Sequence, residues 1–503
     1  MGLIEQELGV QLESAQPDAR ESALRALTLA GEGDSAAALT LLNAVADGAP
    51  AAGWPRALRA SVHKGRGDFE ACRRDLDAAI EREPRAWVLL ERSRLKEQLG
   101  ELNDALDDVE RAFKLAGPDV TVFLQRAHLQ VCRRHYPQAA SDYTRALELE
   151  PGLLEAQIGR ARVHAMRGHI KEALADQRAA EKAAPGDLEL RLERLRLEAL
   201  ADDPEKARKE FAALRPGVPE FEGRIRFQEA CCLLKQRRWA EAAEGFAAAQ
   251  AAAEGGIQWK AAWYRTVALL LASPLPGGLP KADLYICGLG MSTPFSATSE
   301  VLHAITRCDL IFNNHSEPEI AELLQLLVPR WRPTAFDILG GSEWTRVIFS
   351  EMKPGLSVGF ITRGHPLVCG GLAANLISQS KRVGTSYRVF GSVSSMDVLS
   401  EQAWAGGRLD GAQVFEYTSV LREPFRPDLS IPTVVYFSAS VMELPEPEYQ
   451  EFCARLEALW GAEHRFRYFG RRFDVPPELV PLSALRTRHA GIDPSHTLVI
   501  PAR

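Results

Sequence analysis

The chain has 503 residues, 46% hydrophobic and 25% charged, the balance of an ordinary soluble folded protein. A net charge of −7 excludes a general nucleic-acid binder, which needs a strong basic excess. Its eight cysteines (72, 132, 231, 232, 287, 308, 369 and 453) show no CxxC spacing and no paired histidine ligands, so neither a zinc or other metal site nor a disulfide framework is expected, and free thiols in a reducing cytoplasm fit better.

The opening segment "MGLIEQELGVQ" carries acids and lacks the apolar stretch of a secretory signal. A beat of 34 residues then runs through the first half of the chain. Ala37, Ala71, Ala105, Ala139, Ala173 and Ala207 keep it, and Ala242 follows after 35. Seven residues after each comes a second series: Ala44, Ala78, Ala112, Ala146, Ala180, Leu214 and Ala249. Two alanines seven apart share one helix face and let a neighbouring helix come close. Pro50, Pro84, Pro118, Pro151, Pro185 and Pro219 keep nearly the same beat and end the second helix of each unit. Tyr143, Phe211 and Phe246 each fall four residues after the first alanine of their units.

A helix pair of this length, with two small residues and a closing proline, resembles the tetratricopeptide repeat. The resemblance covers seven units over about residues 20–271 of a repeat domain spanning 1–271. It implies an all-α solenoid whose concave surface serves a partner. A small residue is expected between the two helices; Gly100 and Gly168 fit and Arg134 departs.

"TVALLLASPLP" is too short to span a membrane and ends in proline, so no membrane partner is expected. Residues 272–281, rich in proline and glycine, read as a linker. Strand-like runs follow: "ADLYICGLG", "CDLIFNN", "LSVGFITRG", "SYRVFGSV", "TVVYFSAS", "FRYFGRRF" and "HTLVIPAR". "SATSEVLHAITR", "EIAELLQLL", "SEWTRVIFSEM" and "LAANLISQSKR" are helices between the early strands. The alternation predicts an α/β domain over 282–503 with a largely parallel sheet in its first half.

Three loops at strand carboxyl ends carry the candidate chemistry. They are Gly288-Leu-Gly290, the Gly364-His365-Pro366 loop running to Gly371, and Gly391-Ser-Val-Ser394-Ser395. Glycines permit tight turns and close backbone approach to a ligand. Open α/β sheets bind ligands outside the carboxyl ends of their strands, so the three loops can converge on one pocket.

In this order, "YICGLG", "RGHPLVCGG" and "GSVSSMD" make residues 282–503 resemble the tetrapyrrole methylase superfamily. The nearest flavour is the borosin peptide-backbone N-methyltransferases, which share "GHP", "GAEH" before a late strand, and a last strand running into Ile500-Pro501. The resemblance implies a two-lobed α/β methyltransferase of class III, S-adenosyl-L-methionine in the cleft between the lobes, and a homodimer. Gly288, Gly290, Gly364, His365, Val368, Ser394 and Ser395 would line the cofactor site. Ser438, Tyr468 (or Phe469) and Thr497 would be the second lobe's contribution.

The chain also departs from that pattern. The family's Pro-Gly after the first turn is Met291-Ser292, and Arg363 stands where borosins have tyrosine. The borosin arginine and tyrosine that act on the substrate amide would fall at Asp337 and Gly341. The candidate catalytic residues are therefore Arg363, Asp337 and Arg346, beside Glu343 and Trp344. Arg363 would steady an anion or grip a carboxylate, unless it forms a surface salt bridge. Asp337 would act as a base or cap the next helix, and Trp344 would pack or form a substrate platform.

No peptide segment follows Arg503, so the expected acceptor is a separate, ribosomally made peptide or a protein, recruited with help from the repeats. Methylation of a small metabolite or a tetrapyrrole is the alternative reaction. A methylase fold without activity, serving as a repeat adaptor, is the alternative of another class.

Overall fold

Six of the sequence repeats become helix pairs joined by a turn with a left-handed residue. The computed structural model describes every residue except 1–2, 202, 276, 290–296, 314–317, 334–340, 363–370, 392–412, 423, 438–444, 470–477, 490–496 and 503. After α1 (Leu3–Ser14) the pairs are α2 (Pro17–Gly31) with α3 (Ser35–Gly48), α4 (Trp54–Gly65) with α5 (Phe69–Arg82), and α6 (Ala86–Gln98) with α7 (Leu102–Ala116). They continue as α8 (Val120–Cys132) with α9 (Tyr136–Leu149) and α10 (Leu154–Met166) with α11 (Ile170–Ala183). Then come α12 (Leu188–Ala201), α13 (Pro204–Leu214), α14 (Glu222–Lys235), α15 (Trp239–Ala252) and α16 (Gly255–Ala272). The chain divides into two compact units, Met1–Leu197 and Glu198–Arg503.

The turn between paired helices is occupied by Gly33, Gly67, Gly100, Arg134, Gly168 and Arg237, all at φ between 61° and 91°. Glycine takes this conformation without strain, whereas a side chain pays for it. Arg134 thus departs in residue type but not in backbone shape. Asp34, Asp68 and Asp203 cap the following helices by accepting from the amides of Ala37, Ala71 and Lys206.

These caps correct the alanine register at the start of the array. Counted from them, the equivalents of buried Ala105 and Ala112 are Ala38 and Val45 in α3, and Cys72 and Ala79 in α5. Ala44 is exposed and Ala37 and Ala78 are half-buried. The beat between the second and third units is 33, as Gly67 to Gly100 also shows. In so alanine-rich a segment, neighbouring alanines keep a false 34.

A feature that alanine spacing does not reveal links the pairs of the first unit. Arg59, Arg92, Arg126 and Arg160 each grip, with two hydrogen bonds, an aspartate 16 residues later: Asp75, Asp108, Asp142 and Asp176. The remaining Nη1 of each donates to the preceding repeat, at Asn43, Asp77, Glu110 and Thr144. One arginine per repeat therefore clamps its own helix pair and ties it to the pair before. Burial alone would raise the Asp108 carboxyl, but hydrogen bonds from Arg92 and Lys96 hold it below the usual range.

In the second unit, α13 to α16 lead into the sheets. The first sheet contains β1 (Leu284–Gly288), β2 (Leu310–Asn313), β3 (Arg330–Pro333), β4 (Val358–Thr362) and β5 (Tyr387–Phe390). Its order is β3-β2-β4-β1-β5, and every pairing is parallel. α17 (Ser299–Arg307), α18 (Pro318–Leu327), α19 (Gly341–Glu351) and α20 (Gly371–Val383) connect the strands. The second sheet is mixed, ordered β6 (Gln413–Glu416), β7 (Thr433–Tyr436), β10 (Thr497–Ile500), β8 (Arg465–Phe469) and β9 (Glu478–Pro481). The helix Glu446–Trp460 covers one of its faces through Tyr449, Phe452 and Leu456. The strands absent from the sequence reading, β3, β6 and β9, are all sheet edges. Edge strands are half exposed and short, so they lack the apolar run that marks a central strand.

The last repeat packs directly on this α/β region by helix ends. Lys235 donates to the carbonyls of Gln325 and Val328 at the carboxyl end of α18, and Arg237 donates to Thr306 at the end of α17. Cations suit these negative helix termini. In return, His303 of α17 donates to Leu270 and Ser273 at the end of α16. Lys260 pairs with Glu322. Among the described residues, no helix is long and apolar enough to cross a membrane.

Candidate functional site

The first sheet has two unlike ends. At the amino end, polar side chains are spent on tying strands together. The Asp283 carboxylate accepts from the amide and hydroxyl of Ser386, and the Asp309 carboxylate accepts from the Ser357 amide. The Ser357 hydroxyl donates to the Ala282 carbonyl. The carboxyl end is where the three glycine-bearing loops leave the sheet.

β1 is flanked by β4 and β5, so these loops depart from three adjacent parallel strands. Gly288 is in register with Thr362, and Cys287 with both Ile361 and Phe390. The ladder runs one step further, since the Leu289 amide donates to the Thr362 carbonyl at 2.9 Å. Neighbouring strands lie about 4.8 Å apart, so the loops begin within about 10 Å of one another.

The crossovers separate at this point. The connections from β1 and β2 step toward one edge and those from β3 and β4 toward the other. α17 packs with α18, and α19 with α20, as right-handed crossovers on opposite faces require. β1 and β4 are thus followed by helices on opposite faces, the switch point at which open α/β sheets bind ligands.

Gly288 is buried at the end of β1, on the face shared with Thr362 and covered by α19 and α20. The other face carries Cys287 and Cys308, whose thiols burial pushes well up, so neither serves as a nucleophile. Gly359 lets α17 sit close there: a Cβ would meet the Cys308 sulfur at 2.8 Å and Ile311 Cγ1 at 2.9 Å. Asn313, which the sequence reading did not single out, ends β2 with a wholly buried amide side chain at the same carboxyl edge. Its only sequence signal is a polar residue closing an apolar strand.

Gly290, Gly364, His365, Val368, Ser394, Ser395, Ser438, Arg363 and Asp337 lie outside the described residues. Trp344 packs against Phe312 in the sheet core, so of its two expected roles the structure shows packing. Arg346 is 79% exposed on α19 and paired with Glu343 one turn away at 3.8 Å. Its side chain lies on the outward face of α19, since Trp344, Val347 and Ile348 turn toward the sheet core.

In the second sheet the register separates two residues expected to act together. Thr497 pairs with Tyr436 on one side and Phe469 on the other, while Tyr468 pairs with Leu498. Leu498 and Tyr468 belong to the core under the helix Glu446–Trp460, so Thr497 occupies the opposite face with Phe469. Tyr468 packs against Phe466, and Arg488 lies 4.7 Å over its ring. Of the two alternatives, the strand alternation puts Phe469 beside Thr497.

No protein-family model and no curated protein matches the chain. Solved structures that resemble parts of it include a tetratricopeptide repeat protein from Parabacteroides merdae, at 18% identity over 50% of this chain and 100% of that chain, with a TM-score of 0.37. The type IV pilus biogenesis factor PilW matches at 14% identity over 41% of this chain and 96% of its own, with a TM-score of 0.36. Uroporphyrin-III-C-methyltransferase from Thermus thermophilus matches at 18% identity over 44% of this chain and 95% of its own, with a TM-score of 0.34. The chain itself combines repeated helix pairs with an α/β region of one parallel and one mixed sheet.

Proposed function

We propose that this chain is a cytoplasmic S-adenosylmethionine-dependent methyltransferase acting on a separate peptide or protein, with the helix repeats helping to recruit the acceptor. The observation that carries the reading is the departure of three glycine-bearing loops from adjacent carboxyl ends of β4, β1 and β5, at the point where the crossovers diverge. A sheet end of that kind, free of bulky side chains at Gly288, fits a ligand that needs close backbone approach.

In this reading Gly288, Gly290, Gly364, His365, Val368, Ser394 and Ser395 shape the cofactor pocket from the first sheet. Ser438 and Thr497 contribute from the second, with Phe469 in place of Tyr468. The donor, when bound, supplies an already activated methyl group. What remains for the protein is to orient the acceptor atom and exclude water. Arg363 steadies negative charge on the acceptor and Asp337 takes its proton where the acceptor is weakly acidic. Arg346, exposed and paired with Glu343, is assigned no step. The methyltransferase region is proposed to form a homodimer.

Calorimetric titration of the full chain with S-adenosylmethionine tests the cofactor, and single-methyl mass increments on candidate peptides test the acceptor. Absence of binding removes the enzyme and leaves an adaptor. Increments confined to small metabolites or tetrapyrroles retain the methyltransferase and overturn the peptide acceptor.

A further inference from the structure

We propose that Glu97, His128 and Cys132 form a binding site for one borderline-soft divalent metal ion of the zinc class. His128 and Cys132 stand four residues apart on α8 and so project from one face of that helix. Glu97, in the last turn of α6, meets them from the neighbouring pair. The Glu97 Oε1 lies 2.8 Å from His128 Nδ1 and 3.9 Å from the Cys132 sulfur. All three donor atoms lie within 4.8 Å of one another.

Imidazole nitrogen, thiolate sulfur and carboxylate oxygen are the donor types zinc selects, at about 2.0 Å for nitrogen and oxygen and about 2.3 Å for sulfur. A tetrahedral ion with those bonds holds its donor atoms about 3.3–3.6 Å apart. The present spacing brackets that range, so shifts of about 1 Å or less complete the site. Gln125, almost one turn before His128, donates to the other oxygen of Glu97 at 2.9 Å. That bond leaves Oε1 directed at the histidine and cysteine, the supporting role that outer groups play around metal ligands.

Binding displaces the proton shared between His128 and Glu97 and releases the Cys132 thiol proton to solvent. Three protein donors leave a fourth position for water or for a group from a bound partner. His128 and Cys132 are exposed, so the ion has an open route in. Cys72, Cys231, Cys232, Cys287, Cys308 and Cys453 are buried, which makes Cys132 the accessible thiol among the described residues. Cysteine spacing gives no sign of such a site, because the third ligand comes from another helix.

The test is a Co²⁺ titration of the reduced full-length protein, followed by Zn²⁺ competition, with wild type, C132S and H128N compared. The expected result is one equivalent of Co²⁺ with a thiolate-to-metal charge-transfer band, displaced by Zn²⁺. Each variant is expected to lose at least about tenfold in affinity, since removing even an outer group costs 10–100-fold. No charge-transfer band in the wild type overturns the proposal, as does wild-type affinity in either variant. Both side chains are exposed, and far-UV circular dichroism confirms that the variants fold.

Discussion

Arg126 donates two parallel hydrogen bonds to Asp142, Nε to Oδ2 at 2.8 Å and Nη2 to Oδ1 at 2.7 Å, with only 8% and 3% of the two side chains exposed. The pair is one rung of a ladder that recurs at Arg59, Arg92 and Arg160. Breaking one partner of a buried pair leaves an uncompensated charge, a loss of about 3–5 kcal/mol. R126A and D142A should each destabilise the chain by that amount in urea denaturation. Replacing both members by leucine or methionine should cost far less, because desolvation offsets much of the attraction in the intact pair.

Arg134 and Arg237 share a strained turn but differ in what they touch. Both hold φ near 60° at positions where other repeats use glycine. R134G should stabilise the protein by about 0.5–1 kcal/mol, the relief of left-handed strain less the entropy of glycine. R237G gains the same relief and loses the bond to the Thr306 carbonyl, so its net effect should be nil or destabilising. Parallel denaturant titrations of the two variants distinguish them.

Lys235 should give the chain an alkaline signature. Burial, reinforced by Arg237, holds its pKa down to about 8, against about 10.4 for a free lysine. Between these values the unfolded chain binds more protons than the native one, so stability rises with pH across the window. Below it the buried ammonium carries its full desolvation penalty; above it none remains. The neutral amine still has two N–H groups for Gln325 and Val328. Relative to K235M, the wild type should gain on the order of 3 kcal/mol between the two ends of the window. A flat difference refutes the assignment.

Gly159 on α10 exists to admit Tyr143. A Cβ there would meet the tyrosine ring at 2.4 Å, and the ring is itself buried. G159A should therefore destabilise by about 1–3 kcal/mol, and G159A/Y143L should recover part of that loss. The melting temperatures of the two variants decide it.

For the proposed donor site, F469A should weaken S-adenosylmethionine binding at least about tenfold, worth about 1.4 kcal/mol. Y468F should leave it within about twofold, since Tyr468 faces the helix Glu446–Trp460. Calorimetry on both variants checks the face assignment independently of any acceptor.

Much of the organisation was legible along the chain. Helix pairing followed from alanine and proline spacing, and the apolar runs of β1, β2 and β4 stood out because central parallel strands are buried on both faces. The glycines at the ends of β1, β4 and β5 marked the candidate loops, because glycine allows close backbone approach to a ligand. Local periodicity encodes whatever depends on near neighbours: which face of a helix is buried, where a strand ends, where a turn is needed.

What the sequence could not decide depends on residues far apart in the chain. The order β3-β2-β4-β1-β5, the arginine–aspartate ladder, the docking of Lys235 and Arg237 on helix ends, and the meeting of Glu97 with His128 and Cys132 all arise from packing. The partition of Tyr468 and Thr497 to opposite faces is of the same kind: one residue of register, set by the pairing of β8 with β10, turns a side chain from one face of a sheet to the other.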